Sequence, residues 1–277
     1  AVDEALVICR EILAQHRAVL IEEKLEGEEF SLQCFCDGEN IVAMPPVQDH
    51  KRRLAGDEGS NTGSMGSYSS ANHLLPFLTP GELDQAVDIV RQTIKALRKE
   101  TGLIYQGIIY GGFMITRDGI KLIEFNARFG DPEAINVLPL LETDFLDICQ
   151  AIVDGTLDKI SIKFKPLATV VKYVVPANYC LPEDQRVDVK SDLIQIGDLG
   201  KARLYHASIH GDATGYHLTS SRAVAILGLS PDLAEAEKIA ELGACAITGA
   251  VAHRRDIGTA DLIAKRVRHM EELRRTN

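Results

Sequence analysis

Two strand–turn–strand signals on either side of one long amphipathic helix constrain this chain most. Phe30, Leu32, Cys34 and Cys36 alternate with Ser31, Gln33, Phe35 and Asp37, which predicts a half-buried strand. Asp37-Gly38 turns that strand back toward residues 41–44. Residues 108–115 and 120–126 form a second pair around Asp118-Gly119. Between the pairs, Thr79 is placed to cap a helix, Pro80 sits at its first position and Glu82 completes a capping box. Leu83, Ala86, Val87, Val90, Ile94 and Leu97 fall on one stripe, and Gly102 ends the helix.

The remaining chain is organised around this unit. Ala5, Leu6, Cys9, Ile12 and Leu13 form a helical stripe at once, although residue 1 is Ala, so the chain reads as starting inside a domain. A short apolar strand is expected at 19–21, and residues 45–73 lack periodicity and read as a long loop, functional or disordered. Helix starts are expected at Asp131-Pro132-Glu133 and near Asp144. The rhythm changes near residue 165. Strands follow at 168–175, 202–209, 216–220 and 222–227, then a helix capped by Ser230-Pro231 and a charged helix over 260–274. A length of 277 residues suits about two domains.

Composition excludes whole classes of function. The formal net charge of −10 argues against a general nucleic-acid binder, and seven basic against four acidic residues over 254–275 suit a solvated helix face. No apolar stretch approaches the ~20 residues of a membrane span, and no secretory leader opens the sequence. The six cysteines show neither CxxC pairs nor zinc spacing, which suits reduced thiols in a cytoplasmic protein.

Three runs could carry chemistry. The sharpest is Lys121-Leu122-Ile123-Glu124-Phe125-Asn126-Ala127-Arg128-Phe129-Gly130-Asp131-Pro132-Glu133. In a strand, Glu124 and Asn126 share one face, and Ile123 and Phe125 share the other with Lys121. A carboxylate beside an amide oxygen is a hard donor pair suited to Mg²⁺, and Arg128 could grip a carboxylate or phosphate. On those two residues alone a solvated sheet face is the commoner outcome. The second run is Gln48-Asp49-His50-Lys51-Arg52-Arg53 followed by a Gly-rich stretch through Asn61, Gly63 and Gly66, where backbone N–H groups can approach an anion. It is not a Walker loop, because GxxxxGK[ST] is absent. The third, Glu22 to Glu29, would alone mark only a charged turn.

Taken together, in order and spacing, these runs resemble the phosphoribosylamine–glycine ligase family (glycinamide ribonucleotide synthetases) of ATP-grasp enzymes. Ile21 to Glu29 is similar to the family's hinge strand, Gln48 to Arg52 with Asn61 to Gly66 to its substrate loop, and Ile123 to Glu133 to its metal and substrate strand; Arg255-Asp256-Ile257-Gly258 is similar to its C-terminal signature. The resemblance implies an α+β fold. Residues 1–165 would be the C-terminal part of an ATP-grasp fold, an antiparallel sheet with helices, and 166–277 a smaller strand-rich α/β domain. It implies glycine, ATP and 5-phosphoribosylamine as substrates in purine biosynthesis, Mg²⁺ or Mn²⁺ on Glu124 and Asn126, and Arg128 and Lys51 as catalytic cations. Glu22, Glu23, Leu25 and Glu29 would serve the nucleotide, and Asp49, Asn61, Gly63 and Asp131 the other substrates. The family's N-terminal Rossmann-like domain and most of its lid are not in this sequence. Ser60 and Ser64 stand where the family usually has Pro and Gly, and Ser64 fits only where its φ is negative. Lys172 to Pro176 also departs from the small-residue run of bacterial relatives.

Overall fold

A computed structural model describes residues 2–275. The first half runs α1 (Val2–Gln15), β1 (Glu28–Cys36), β2 (Ile41–Ala43), β3 (Gln48–Asp49), β4 (Arg52–Leu54), β5 (Glu58–Asn61), β6 (Gly66–Ser69), α2 (Pro80–Thr101), β7 (Gly107–Thr116), β8 (Gly119–Asn126), α3 (Glu133–Val137) and α4 (Phe145–Asp154). The second half runs β9 (Ala168–Pro176), β10 (Leu193–Ile196), β11 (Arg203–His206), β12 (Ile209–Asp212), β13 (Gly215–Leu218), β14 (Val224–Ser230), α5 (Leu233–Cys245), β15 (Ile247–Thr248), β16 (Val251–His253) and α6 (Ala260–Arg275). The fold is α+β, built on antiparallel pairings, and among the described residues no helix is long and apolar enough to cross a membrane.

The two hairpins join into one sheet in the order β2-β1-β7-β8. Phe30, Leu32, Cys34, Ile109, Phe113 and Ile115 form its apolar face and pack with Ala86, Val90 and Ile94 of α2. The capping box is present at Thr79 and Glu82, and Gly102 ends α2 in the left-handed conformation. Burying an apolar stripe of this kind stabilises by roughly 25 cal/mol per Å² removed from water. β1 is not half-buried, however. Its second face carries Ser31 and Gln33, which are only 3% and 2% exposed, because the chain around Val47 and Gly130 covers them. At one end of that face Phe35 meets Val47, Val137 and Ile148; at the other the face is polar.

Other expectations need correction. Residues 19–21 form no strand; Leu20 and Ile21 are exposed and no ladder partner lies beside them. The stripe of α1 buries no residue. The stretch 45–73 is no open loop but holds β3 to β6, and residues 64–70 are buried throughout. Asp232 caps α5 rather than Ser230-Pro231, because its carboxylate accepts from Glu235 N–H at 2.9 Å.

A second sheet pairs β11-β14-β9-β6-β3, with β16 also on β9. It therefore draws 48–49 and 66–69 into register with 168–176, so its ladder crosses residue 165. Close approach there demands Gly66: its φ is +141°, and a Cβ would stand 2.1 Å from the Val171 carbonyl oxygen. A third sheet, β12-β13-β10-β15, and the small pair β4-β5 complete the described strands.

Candidate functional site

The polar face of the first sheet sets the site. In register, Glu29 opposes Met114, Ser31 opposes Gly112, and Gln33 opposes Tyr110; across β7, Gly112 opposes Glu124 and Tyr110 opposes Asn126. Residues directly opposite share a face, so Glu29, Ser31, Gln33, Tyr110, Glu124 and Asn126 all point one way. The alternation in the sequence thus places Glu124 and Asn126 as expected, but not Lys121. The register shifts at Ile123, and Lys121 pairs with Met114, which puts Lys121 on the Glu124 side. The bulge has no signature in the local residue pattern.

The covering chain brings the second run onto this face. Glu29, Ser31, Asp49, Lys51, Tyr110, Gly112 and Glu124 line one cleft. An adjoining depression of about 350 Å³ shares Glu29, Asp49 and Lys51 and extends to Asn61 and Arg266. Lys51 Nζ sits 3.0 Å from a Glu29 carboxylate oxygen. Burial pulls its amine down, but Glu29, Asp49 and Glu124 outweigh that and hold it above its ordinary pKa. Burial first, and then repulsion from Glu133, push the Asp49 carboxyl up to about 7, against the Ser64 hydroxyl, Lys51 and the His50 N–H. Glu133 is itself buried and raised, although Tyr110 Oη donates to it at 3.0 Å.

Asn126 Nδ2 donates to Glu124 Oε1 at 3.2 Å, and the Arg128 guanidinium reaches Asn126 Oδ1 at 3.4 Å. As it stands Asn126 turns its amide nitrogen to Glu124 and its oxygen to Arg128; rotating the amide would set an oxygen beside the carboxylate, with no imidazole or thiolate between them. That donor set fits a hard divalent cation.

The hinge residues lie at the far end of the same sheet. Glu23, Lys24, Leu25 and Glu26 line a cleft of about 460 Å³ with Thr116, Arg117, Asp118 and Lys121. Lys121 links this cleft to the Glu124 face. Glu22 is exposed just before the lining. Asp131 stands apart from Glu124: its carboxylate takes the Tyr173 hydroxyl and lies 2.8 Å from Arg222 Nη2. Arg222 stacks over the Tyr173 ring at 4.3 Å. Gly63 faces the same group, for a Cβ there would lie 3.7 Å from the Arg222 guanidinium and 3.6 Å from the Tyr179 hydroxyl. Sequence reasoning missed Arg222, Tyr173, Tyr179 and Tyr110. Tyr110 lies on the hairpin partner of the Glu124 strand, whereas the other three sit in or beside strands distant in sequence from the motifs and only the fold brings them in.

Ser64 is a correction. Its φ is +113°, so a non-glycine residue occupies left-handed backbone. Its hydroxyl donates to Asp49 and accepts from Gly66 N–H at 3.0 Å, which fixes the turn. The basic C-terminal segment is largely neutralised within the fold: Arg254 pairs with Asp57 and Asp256, Arg266 with Glu28 and Asp57, and Arg274 with Glu82.

Comparison with known proteins gives a consistent picture. Residues 1–134 match the family described as phosphoribosylglycinamide synthetase, ATP-grasp (A) domain. The chain is 50% identical over 262 residues to the phosphoribosylamine–glycine ligase of Methanosarcina barkeri, covering 95% of this chain and 59% of that protein. It is 48% identical over 275 residues to that of Methanothermobacter thermautotrophicus, covering 98% and 62%. It thus spans about three fifths of the length of the curated relatives it matches. Among solved structures, phosphoribosylamine–glycine ligase from Thermotoga maritima superposes with a TM-score of 0.72 at 25% identity, over 85% of this chain and 57% of that one. The biotin carboxylase domain of the Hydrogenobacter thermophilus 2-oxoglutarate carboxylase, in complex with MgADP and bicarbonate, shares the fold with a TM-score of 0.66 at 15% identity, over 98% of this chain and 59% of that one.

Proposed function

We propose, from the match of residues 1–134 to the phosphoribosylglycinamide synthetase ATP-grasp family and the identity to phosphoribosylamine–glycine ligases, that this chain serves ATP-dependent ligation of glycine to 5-phosphoribosylamine in cytoplasmic purine biosynthesis. A glycine carboxylate oxygen attacks the γ-phosphorus of ATP and ADP leaves. The amine of phosphoribosylamine then attacks the carbonyl carbon of glycyl phosphate. Phosphate departs, the amine loses a proton, and glycinamide ribonucleotide forms.

The observation that carries this reading is the convergence of Glu124, Asn126, Lys51 and Glu29 on the polar end of one sheet face. Glu124 and Asn126 would hold Mg²⁺ or Mn²⁺, which supplies positive charge to the phosphate oxygens. Lys51, kept protonated by its carboxylate neighbours, and Arg128 would stabilise charge on the transferring phosphoryl group. Backbone groups of Glu23 and Leu25 would meet adenine, with Glu22 and Glu29 close to the nucleotide. Asp49, Asn61 and Gly63 would shape the acceptor side, and Asp131, held by Tyr173 and Arg222, would line the glycine or phosphate pocket.

The test is ADP release that requires both glycine and 5-phosphoribosylamine. Turnover with a different acid and amine would place the chain in another ATP-grasp ligase class; calorimetric binding of ATP without any turnover would make it a nucleotide-binding module. Glu124→Ala and Asn126→Ala should abolish Mg-dependent turnover without lowering the melting temperature, since Glu124 is exposed and Asn126 only half-buried. Unchanged turnover in both variants contradicts the metal assignment. Lys51→Ala should lower turnover more than stability, because its side chain is 45% exposed.

A further inference from the structure

On the opposite side of the second sheet, outside every cleft described above, three different donor types converge. Glu241 and Cys245 lie four residues apart on α5 and so share a helix face. His253, on β16, comes up beneath them. Its Nε2 is 3.1 Å from Glu241 Oε2 and 3.2 Å from Oε1, and Cys245 Sγ is 3.5 Å from Oε1. The three ligand atoms all lie within 4.8 Å of one another, the one such group of His, Cys, Asp and Glu found among the described residues.

We propose that Glu241, Cys245 and His253 form a binding site for a borderline divalent cation of the Zn²⁺ class, with the fourth position open to solvent. The donor set is the first reason. Imidazole nitrogen, thiolate sulfur and carboxylate oxygen together favour Zn²⁺ or Co²⁺ over Mg²⁺, which seeks oxygen alone. Spacing is the second. Tetrahedral bonds of about 2.0–2.3 Å put ligand atoms about 3.3–3.7 Å apart; the two distances to Glu241 are already close to that, and the third lies within 4.8 Å.

The surroundings hold the carboxylate in place. Lys172 Nζ, fully buried, binds Glu237 Oε1 at 2.6 Å, Glu241 Oε2 at 2.7 Å and the Arg255 carbonyl at 2.7 Å. One oxygen of Glu241 is thereby anchored, and Oε1 is left on the side of Cys245. Such anchoring of a ligand is what orients a metal site. Arg255 lies 3.7 Å from Oε1, but its side chain is 76% exposed and free to swing away. Cys245 is exposed, so the ion has a path in. A bound ion would clip α5 to β16, both of which already pack on β9.

Titration of the whole chain with Co²⁺, in excess Mg²⁺ to saturate oxygen sites, tests this by absorption. A one-to-one complex with an intense near-ultraviolet thiolate-to-cobalt band and tetrahedral visible bands is expected, displaced by Zn²⁺. Cys245→Ser should erase the thiolate band, and His253→Gln should weaken binding by at least the roughly tenfold that loss of an orienting partner alone costs. Zn²⁺ should also raise the melting temperature of the native chain and not of Cys245→Ser. A thiolate band that persists in Cys245→Ser would belong to another cysteine and overturn the site. So would a purely octahedral Co²⁺ spectrum, or affinity unchanged in both variants.

Discussion

His50 and Asp49 are neighbours in sequence that titrate in opposite senses. His50 is 2% exposed, and neither ring nitrogen has a hydrogen-bond partner. Burial, then the Arg254 and Arg266 cations, push it down to about 3, against Asp57 and Asp256. From its ordinary 6.5 down to about 3, the unfolded chain takes up a proton that the fold refuses, so this residue makes stability fall as pH falls. Asp49, raised from 3.8 to about 7, does the reverse: the fold keeps a proton that the unfolded chain sheds, so its contribution is full below the lower value and lost as pH rises through the upper. Each slope reaches about 1.4 kcal/mol per pH unit, and over the shared window they oppose each other. His50→Leu should therefore leave a stability that declines with pH there, and Asp49→Asn one that climbs. Urea midpoints measured across that window check both; parallel curves for the two variants would contradict the pairing. The sequence showed Asp49 as a candidate with His50 in the same run but not their environment, since the covering residues Arg254 and Arg266 lie two hundred positions away. Ser64 was hidden for another reason. A residue that pays for left-handed backbone with side-chain hydrogen bonds leaves no glycine to mark the turn. Ser64→Gly should relieve the strain by roughly 0.5–1 kcal/mol while removing the hydroxyl that holds Asp49's pKa down. A direct titration of Asp49 should then move upward.

At the scale of elements, local signals were most legible where one short stretch settles the outcome. The Asp-Gly turns, the Thr79–Glu82 capping box and the Gly102 stop all stand as the residues indicate. Thr79→Ala should cost about 1 kcal/mol, read as a lowered denaturation midpoint, because it orphans the Glu82 N–H at the start of α2. What failed were inferences about partners. Val19 to Ile21 has strand composition but no neighbouring ladder, and β1 has the alternation of a one-sided strand but is covered on both sides. Period and propensity describe a segment alone, whereas burial depends on what returns to it from elsewhere. The bulge at Ile123 is the sharpest instance. Simple counting keeps Glu124 and Asn126 together, as found, yet assigns Lys121 to the wrong face, because an extra residue in one strand is invisible until the other strand is laid beside it.

For the molecule as a whole, the change of rhythm near residue 165 is real in sequence, but the second sheet runs across it. β6 pairs with β9 over four residues, and β3 extends the ladder beyond β6. One hydrophobic core holds Leu32, Phe113, Met65 and Tyr68 from before that point together with Val170, Tyr173 and Leu227 from after it. Polar ties repeat the pattern. Arg53 donates to the Ala177 and Tyr179 carbonyls, Arg222 pairs with Asp131, and Arg254, 2% exposed, is clamped by Asp57, Asp256 and the Arg52 carbonyl. Two halves that share a ladder, a core and buried ion pairs cannot expose those surfaces separately without losing them together. Heating should therefore give a single calorimetric transition whose van't Hoff and calorimetric enthalpies agree. Arg254→Met should lower stability by about 2–3 kcal/mol, since it removes a buried cation from the half-buried Asp57 and Asp256 carboxylates, yet keep the transition single. Two resolved transitions, with only one moved by Arg254→Met, would mean that residues 1–165 and 166–277 fold independently and that the β6–β9 ladder is merely a docked contact.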